Sequence, residues 1–544
     1  MLEVDGAALS YDGAEALHRA SCRVSPGETI ALAGANGSGK STLVRLMCAM
    51  ALPDSGSVLV DGVDPSSGSR ERLQVRAAVG LVQQDPRDQI VSTTVFDEVA
   101  FGPRNLGLGE REVDLRVTAS LEAAGLEGFR GRETNALSGG EQARLALAGV
   151  LAMEPSYLLL DEVSSQLDSS ARPRFRRLVH GLVRERGVGS VLVTHDPFEA
   201  LACDRLIVMG DGRIVYEGSP WGLLADEGSG LGWPDVFIDD PYVDVMGAAL
   251  REGLDPRGGV TPGRLASWLG DHPDAHARAL RALENAVPRK SAHRLEDGGI
   301  DCSGVSFSYG ARRVLDSVDL HVPRGSVTLL AGVSGSGKST LGMLIAGLVA
   351  PDAGSVRVCG LPASPGACGI AFQRPEEQLF LDTVAEELAF APRNLGRGED
   401  QVRALVKRSC ELAGIPDDML DRYPFALSGG QARRVGCGSV ITSGAGAYVF
   451  DEPTAGLDAC GRRHLHGLVR TLADEGAAVL VTSHDLGEWL PVADRVGLMA
   501  DGSIAWSGNS RDLVRDPSPF ARARLLAPEW VELVRALERE GAAS

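Results

Sequence analysis

Lysine is almost missing from this chain of 544 residues: Lys40, Lys290, Lys338 and Lys407 are the four that occur, and arginine carries the rest of the positive charge. Positive charge in excess is missing too. The formal net charge of −19 argues against a protein built around a nucleic-acid backbone, which needs a basic stripe. Cysteine is sparse and unpatterned, nine residues with no Cys-x-x-Cys pair. That odd, scattered set makes a poor disulfide, zinc or iron–sulfur framework, and reduced, mostly buried thiols are expected. No apolar run approaches the roughly 20 residues that span a bilayer; the longest, near Leu145 to Met153, has the length of a core helix. The opening residues MLEVDG are acidic and lack the basic-then-apolar pattern of a secretory leader. A soluble chain is expected, with any membrane role arising through a partner.

What is present is a duplication. The chain is too long for one core, and self-comparison divides it. Tyr11 pairs with Tyr309 and Lys40 with Lys338 at an offset of 298; Gln84 pairs with Gln373 and His195 with His484 at 289; Ser138 pairs with Ser428 and Asp161 with Asp451 at 290. Six features in constant order with one indel define two copies. The extra residues of the first copy fall in a polar stretch around Ser66 to Arg76. The expected organisation is a first domain over 1–220, a helical extension of it plus linker over 221–299, a second domain over 300–515, and a helical tail over 516–544. Within 221–299 the linker is placed near Pro288 to Gly299, and the tail reads as one amphipathic helix from Pro519 to Glu540.

Two of the four lysines sit in copies of one glycine-rich loop, GANGSGKS (Gly34 to Ser41) and GVSGSGKS (Gly332 to Ser339). Each follows a short apolar strand and opens a helical pattern. The spacing G-x-x-x-x-G-K-[ST] lets backbone N–H groups converge on phosphate oxygens, with the helix N-terminus adding positive potential. A compact ammonium fits inside such a nest where a planar guanidinium does not. The first cradle comprises Gly34, Asn36, Gly37, Ser38, Gly39, Lys40, Ser41 and Thr42. The second comprises Gly332, Ser334, Gly335, Ser336, Gly337, Lys338, Ser339 and Thr340. The lysines reach for the β- and γ-phosphates of ATP, and Ser41 and Ser339 offer hydroxyls to Mg²⁺.

Other apolar strands end in chemistry. One ends at Asp161-Glu162 in the first copy and Asp451-Glu452 in the second, another at His195 and at His484. In each acidic pair the aspartate suits the Mg²⁺ shell and the glutamate suits polarising an attacking water. Buried strands alternating with helices indicate an α/β fold, a mostly parallel sheet flanked by helices. LSGG opens a predicted helix twice, and its serine hydroxyl and glycine N–H groups (Ser138, Gly139, Gly140; Ser428, Gly429, Gly430) suit a γ-phosphate. Alone it is an ordinary N-cap; with the loop, the acids and the histidine it is specific.

In this combination the chain resembles the ATP-binding cassette ATPases along nearly its whole length. The resemblance implies two P-loop domains, each with a mostly parallel core, an antiparallel β subdomain and a helical signature subdomain. It implies two composite ATP sites at the interface of the halves. One would hold Tyr11, the Lys40 loop, Gln84, Asp161, Glu162 and His195, closed by Ser428, Gly429, Gly430 and Gln431. The other would hold Tyr309, the Lys338 loop, Gln373, Asp451, Glu452 and His484, closed by Ser138, Gly139, Gly140 and Glu141. In that family the tyrosines stack on adenine, the histidines contact the γ-phosphate, and Gln84 and Gln373 join Ser41, Asp161, Ser339 and Asp451 around Mg²⁺. The halves pair within one chain, so no homodimer is required. Two departures stand out: the first copy has LSGGE where the second has LSGGQ, and DEVSSQLD (Asp161 to Asp168) where the second has DEPTAGLD (Asp451 to Asp458). Neither removes a catalytic group, so two working sites of unequal rate are expected.

The glutamine segments, Val79 to Asn105 and Gly369 to Asn394, share Q-x-P-x-x-Q, then T-V, an acidic helix and AF-x-PRN. They are similar to those of the paired ATPases of energy-coupling factor transporters, importers of vitamins or transition-metal cations. That resemblance implies a transmembrane scaffold protein and a small substrate-binding membrane protein as partners, at the cytoplasmic face of the membrane. It also implies a docking groove that includes Gln89 and Gln378. Alternatives are the fused ATPase of a monosaccharide importer, a translation-associated double cassette and a DNA-repair cassette. The first usually carries one degenerate site, the second a long basic arm, the third zinc-binding cysteine pairs.

Overall fold

In a computed structural model, the structure describes residues 1–11, 13–167, 171–226, 230–257, 259–288 and 296–541. Asp168 and most of the expected linker, 289–295, lie outside the described residues. The chain divides into two compact units, Met1–Ile238 and Asp239–Ser544.

Each unit is built around a six-stranded sheet. In the first unit the order is Val79–Val82, Tyr157–Asp161, Gly189–Val193, Thr29–Gly34, Arg205–Gly210 and Arg213–Gly218. The first five run parallel and the last is antiparallel. The second unit repeats this with Gly369–Ala371, Ala447–Asp451, Ala478–Ser483, Ser326–Gly332, Arg495–Ala500 and Ser503–Asn509. The central strands are buried along their whole length, which explains their unbroken apolar runs. Strand order reverses beside the central strand, and a ligand crevice is expected at the carboxyl ends there. Both phosphate loops leave from that end.

An antiparallel sheet flanks each core: three strands in the first unit (Leu2–Tyr11, Ala14–Val24, Ser55–Val60) and four in the second. The residues extra to the first copy form the helix Ser69–Ala78. A separate helical layer, Val95–Asn105, Glu110–Ala123 and Gly139–Leu151, buries its own apolar cluster around Val99, Val117 and Leu145. Val384–Asn394, Glu399–Ala413 and Gly429–Ile441 repeat it.

The extension expected over 221–299 spans the division between the two units. The division falls after Ile238, and the helices Pro241–Arg251, Pro262–Gly270 and Pro273–Ala286 pack with the C-terminal helix Glu529–Gly541 inside the second unit. Leu265 and Leu269 on one side, and Trp530, Val531, Leu533 and Leu537 on the other, are almost wholly buried. Each sequence shows one apolar face; neither shows what covers it. The single tail helix expected over 519–540 is also two, Ser518–Arg522 and Glu529–Gly541. Arg524 takes a positive φ of 56° between them, and Pro528 disfavours helix at the residue before it.

Candidate functional site

Each loop curls because its glycines stand where a Cβ is excluded or where the backbone takes a positive φ. A Cβ on Gly34 meets the Met209 carbonyl oxygen at 2.1 Å, and Gly39 holds a φ of 99° at the start of the helix Lys40–Met47. The lysines are almost wholly buried. Lys40 Nζ donates to the carbonyls of Gly34 and Ala35 at 2.8 and 2.9 Å. Lys338 Nζ donates to those of Gly332 and Val333 at 2.7 and 3.2 Å. Each loop also buries a serine hydroxyl, Ser38 Oγ and Ser336 Oγ, with no hydrogen-bond partner among the described residues. Buried unpartnered donors are costly, and an anion seated in the nest satisfies them. The residues therefore fit a polyphosphate.

The acids converge on the same end of the sheet. Asp161 ends its strand against the Ser41 hydroxyl; burial and neighbouring Glu162 push its carboxyl up to about 6, against Ser41 and Lys40. Asp451 is raised in the same direction by burial, while Thr482 and Ser339 donate to it. Hydroxyl, carboxylate and the nearby carboxamide of Gln84 are hard oxygen donors, the set that Mg²⁺ takes together with water and phosphate.

Glu162 and Glu452 follow with φ of 51° and 46°. Left-handed backbone at a non-glycine residue costs about 1–3 kcal/mol and tends to mark functional positions. It is legible in neither sequence copy. Glu162 N–H donates to the Val193 carbonyl at 3.1 Å and Glu452 N–H to that of Thr482 at 3.0 Å, so the next strand holds both in place. Their surroundings differ. Gln84 Nε2 donates to Glu162 Oε2 at 2.9 Å, and His195 Nε2 lies 3.2 Å from Glu162 Oε1 without hydrogen-bond geometry. His484 meets Glu452 through Nδ1 at 2.8 Å, with Lys338 Nζ 3.8 Å away.

The LSGG serines cap their helices in both halves. Ser138 forms a capping box with Glu141, whose carboxylate accepts from the Ser138 N–H and hydroxyl, both at 2.7 Å. In the second half Gln431 Oε1 accepts from Ser428 N–H at 3.0 Å. Gly139 and Gly140, like Gly429 and Gly430, form the first turns of those helices. Tyr11 and Tyr309 stand exposed at the ends of their strands, Tyr309 edge-on to Phe307. Each unit thus brings its loop, acids and histidine together, while the serine turn belongs to the helical layer.

Sequence reasoning gave Gln89 a place in the docking groove. Its side chain braces the glutamine segment, accepting from Gln83 N–H at 3.1 Å and donating to the Leu81 carbonyl at 3.0 Å. The acidic helix gains a role that sequence reasoning missed. Buried Glu98 accepts from Val91 and Ser92 N–H at 2.9 and 2.7 Å, and Glu387 accepts from Phe380 and Leu381 N–H. These carboxylates pin a loop that exposes Val91 in one half and Phe380 in the other. The glutamate four residues after each Thr94-type cap is the sequence signal.

Fold and site together define a double-cassette ATPase. The ABC transporter family model matches residues 17–165 and 315–455, and the chain belongs to that family. A Bifidobacterium longum protein bearing the name of an ABC transporter ATP-binding protein is 36% identical over 94% of this chain; the chain spans 66% of that relative's length. A similarly named Methanosarcina acetivorans protein is 30% identical over 98% of this chain and 89% of its own length. A Bacillus subtilis protein named for HMP/thiamine import is 28% identical over 98% of this chain and 96% of its own. The chain is the ATP-binding subunit of an ABC transporter. Among the described residues, no helix is long and apolar enough to cross a membrane.

Proposed function

We propose that the chain is the paired ATPase of an energy-coupling factor type importer, and that it drives a transmembrane scaffold through its two glutamine segments. The observation that carries this reading is a repeated apolar surface beside Gln84 and Gln373. Val91 and Phe101 are exposed in the first half, and Phe380 and Phe390 occupy the matching positions in the second. Phe380 and Phe390 meet edge-on at 5.0 Å. Exposed apolar groups on a pinned loop and the helix that follows it suit protein docking. The import name of the Bacillus subtilis relative supports the direction and the vitamin class.

In this reading the halves face one another, and each serine turn closes the site built on the other half's lysine. Lys40 and Lys338 leave their loop carbonyls for phosphate oxygens. Glu162 and Glu452 orient and polarise water, Gln84 and His484 hold those carboxylates in turn, and His195 and His484 read the γ-phosphate. Ser41, Asp161 and Gln84, with Ser339, Asp451 and Gln373, hold Mg²⁺, which supplies charge neutralisation on the phosphates. Tyr11 and Tyr309 stack on adenine. ATP stabilises the closed arrangement because only there do the serine turns contact the γ-phosphates, the differential affinity that any such shift requires.

Affinity purification of the tagged chain from detergent-solubilised membranes tests the partner assignment. A multispanning protein together with a small membrane protein supports it; a periplasmic-type importer complex or ribosomes refute it. A crosslink between cysteines placed at Ser38 and Leu427, formed in the ATP-loaded Glu162→Gln, Glu452→Gln variant and absent without nucleotide, tests the composite sites.

A further inference from the structure

The two halves hold their glutamine segments by different means, and the difference centres on a buried arginine. Arg433 lies just beyond the Ser428 cap in the helix Gly429–Ile441 and is 8% exposed. Its guanidinium donates through Nη1 to the Ala455 carbonyl and through Nη2 to the Gln373 carbonyl. One side chain thus ties the glutamine turn to the turn that follows Glu452. A buried cation satisfied by backbone carbonyls is expensive, so packing alone does not account for it. Three residues on, Gly436 lets the segment Pro375–Gln378 lie directly on the same helix: a Cβ there meets the Pro375 carbonyl carbon at 2.6 Å. At the register that pairs Ser138 with Ser428, the first half has Ala143 and Ala146 at these positions.

The first half makes the connection with a functional side chain, through the 2.9 Å bond from Gln84 to Glu162. Among the described residues Gln373 makes no such contact; Glu452 is held by His484, Ser483 and Lys338. We propose that Arg433 is a positioning residue of the second half, which fixes the Gln373 backbone against the Glu452 turn and leaves the Gln373 carboxamide available for the metal and water. The consequence for turnover rests on Glu162 and Glu452 being the two water-polarising carboxylates. Loss of Arg433 releases the glutamine turn but leaves the Lys338 loop intact, so it lowers kcat and spares ATP affinity. The Ser428–Gln431 capping box is made without Arg433, so turnover dependent on Glu162 is spared as well.

Hydrogen exchange on full-length wild type, R433A and R433K tests the positioning directly. Amides of 373–378 should exchange faster in R433A and to an intermediate degree in R433K, where an ammonium reaches only one carbonyl; those of 84–89 should not change. Unchanged exchange at 373–378 in a folded variant overturns the proposal whatever the activity does. Should R433A fail to give a cooperative melt, R433K alone decides, and wild-type exchange and turnover in it overturn the proposal. Steady-state ATPase in E162Q and E452Q backgrounds tests the consequence. Expected is a loss of about tenfold or more in kcat with KM within about twofold in the E162Q background, and little change in the E452Q background. Equal losses in both, or a change confined to KM, overturn it. If exchange responds but the E162Q parent has no turnover to lose, the assignment of the carboxylates fails while the positioning role stands.

Discussion

His484 stands 2.8 Å from Glu452 through Nδ1, a contact that favours the ionised carboxylate. Burial pushes Glu452 up, but His484 and Lys338 together outweigh burial, and the group lies below the ordinary glutamate range. Removing the histidine leaves burial less opposed. In an E162Q background, H484A should therefore move the acid limb of the turnover profile to higher pH, because the carboxylate then protonates earlier as pH falls. An acid limb unmoved by H484A would show that the histidine does not govern Glu452. Taken singly, E162Q and E452Q should each lower steady-state turnover of the otherwise intact chain; no loss in one of them would refute two working sites.

Asp161 behaves oppositely. Burial and Glu162 raise it to about 6, against the pull of Ser41 and Lys40. A carboxyl raised in the folded state binds its proton more tightly there than in the unfolded chain. Its contribution therefore favours folding below about pH 4 and is lost as pH rises through about 6. Ionised at neutral pH, it costs roughly 3 kcal/mol. D161N should raise the melting temperature of the nucleotide-free protein at pH 8 far more than at pH 4, while impairing Glu162-dependent turnover. Calorimetry at pH 6 should show proton release when wild type binds Mg-ATP and less in D161N. Equal melting shifts at both pH values would refute the assignment.

Glu141 places a carboxylate on the very turn read as a γ-phosphate contact, gripping the Ser138 hydroxyl at 2.7 Å. Gln431 at the matching position brings no charge. If the Ser138 turn closes an ATP site as proposed, E141Q should strengthen ATP binding there by about 1 kcal/mol, allowing for solvent screening. Half-saturation of Glu452-dependent turnover should then fall about fivefold, while Glu162-dependent turnover keeps its value. Weaker binding in E141Q would mean that the carboxylate orders the turn more than it repels the nucleotide.

The chemistry of the site was the part most legible from residues. Glycine spacing, paired acids after apolar strands and a serine turn each encode a local conformation, and their repetition removes the ambiguity of any one. The backbone at Glu162 and Glu452 escaped because a left-handed glutamate leaves no compositional trace; the neighbouring strand imposes it. Arg433 looked like any helix arginine, since its role depends on carbonyls 60 and 22 residues away. The motif gives Gln89 a place in the sequence but not its bonds to Gln83 and Leu81, which depend on how the turn folds. The helices after Ile238 were legible as amphipathic, but a hydrophobic face specifies burial and not a partner.

That last point makes a prediction of its own. Trp530 is fully buried in the helix Glu529–Gly541, which packs on Pro262–Gly270 despite the long chain separation. Removing a buried tryptophan costs about 3–5 kcal/mol where the site cannot collapse. That loss should appear wherever the helix was packed. W530A should therefore lose amide protection in Pro262–Gly270 as well as in its own helix, because Leu265 and Leu269 lose their cover. The signature helix of the first half, Gly139–Leu151, belongs to the other unit and should keep its exchange rates. Protection retained in Pro262–Gly270 would show that the two helices do not cover one another. Equal loss in Gly139–Leu151 would instead mean that the two units unfold together.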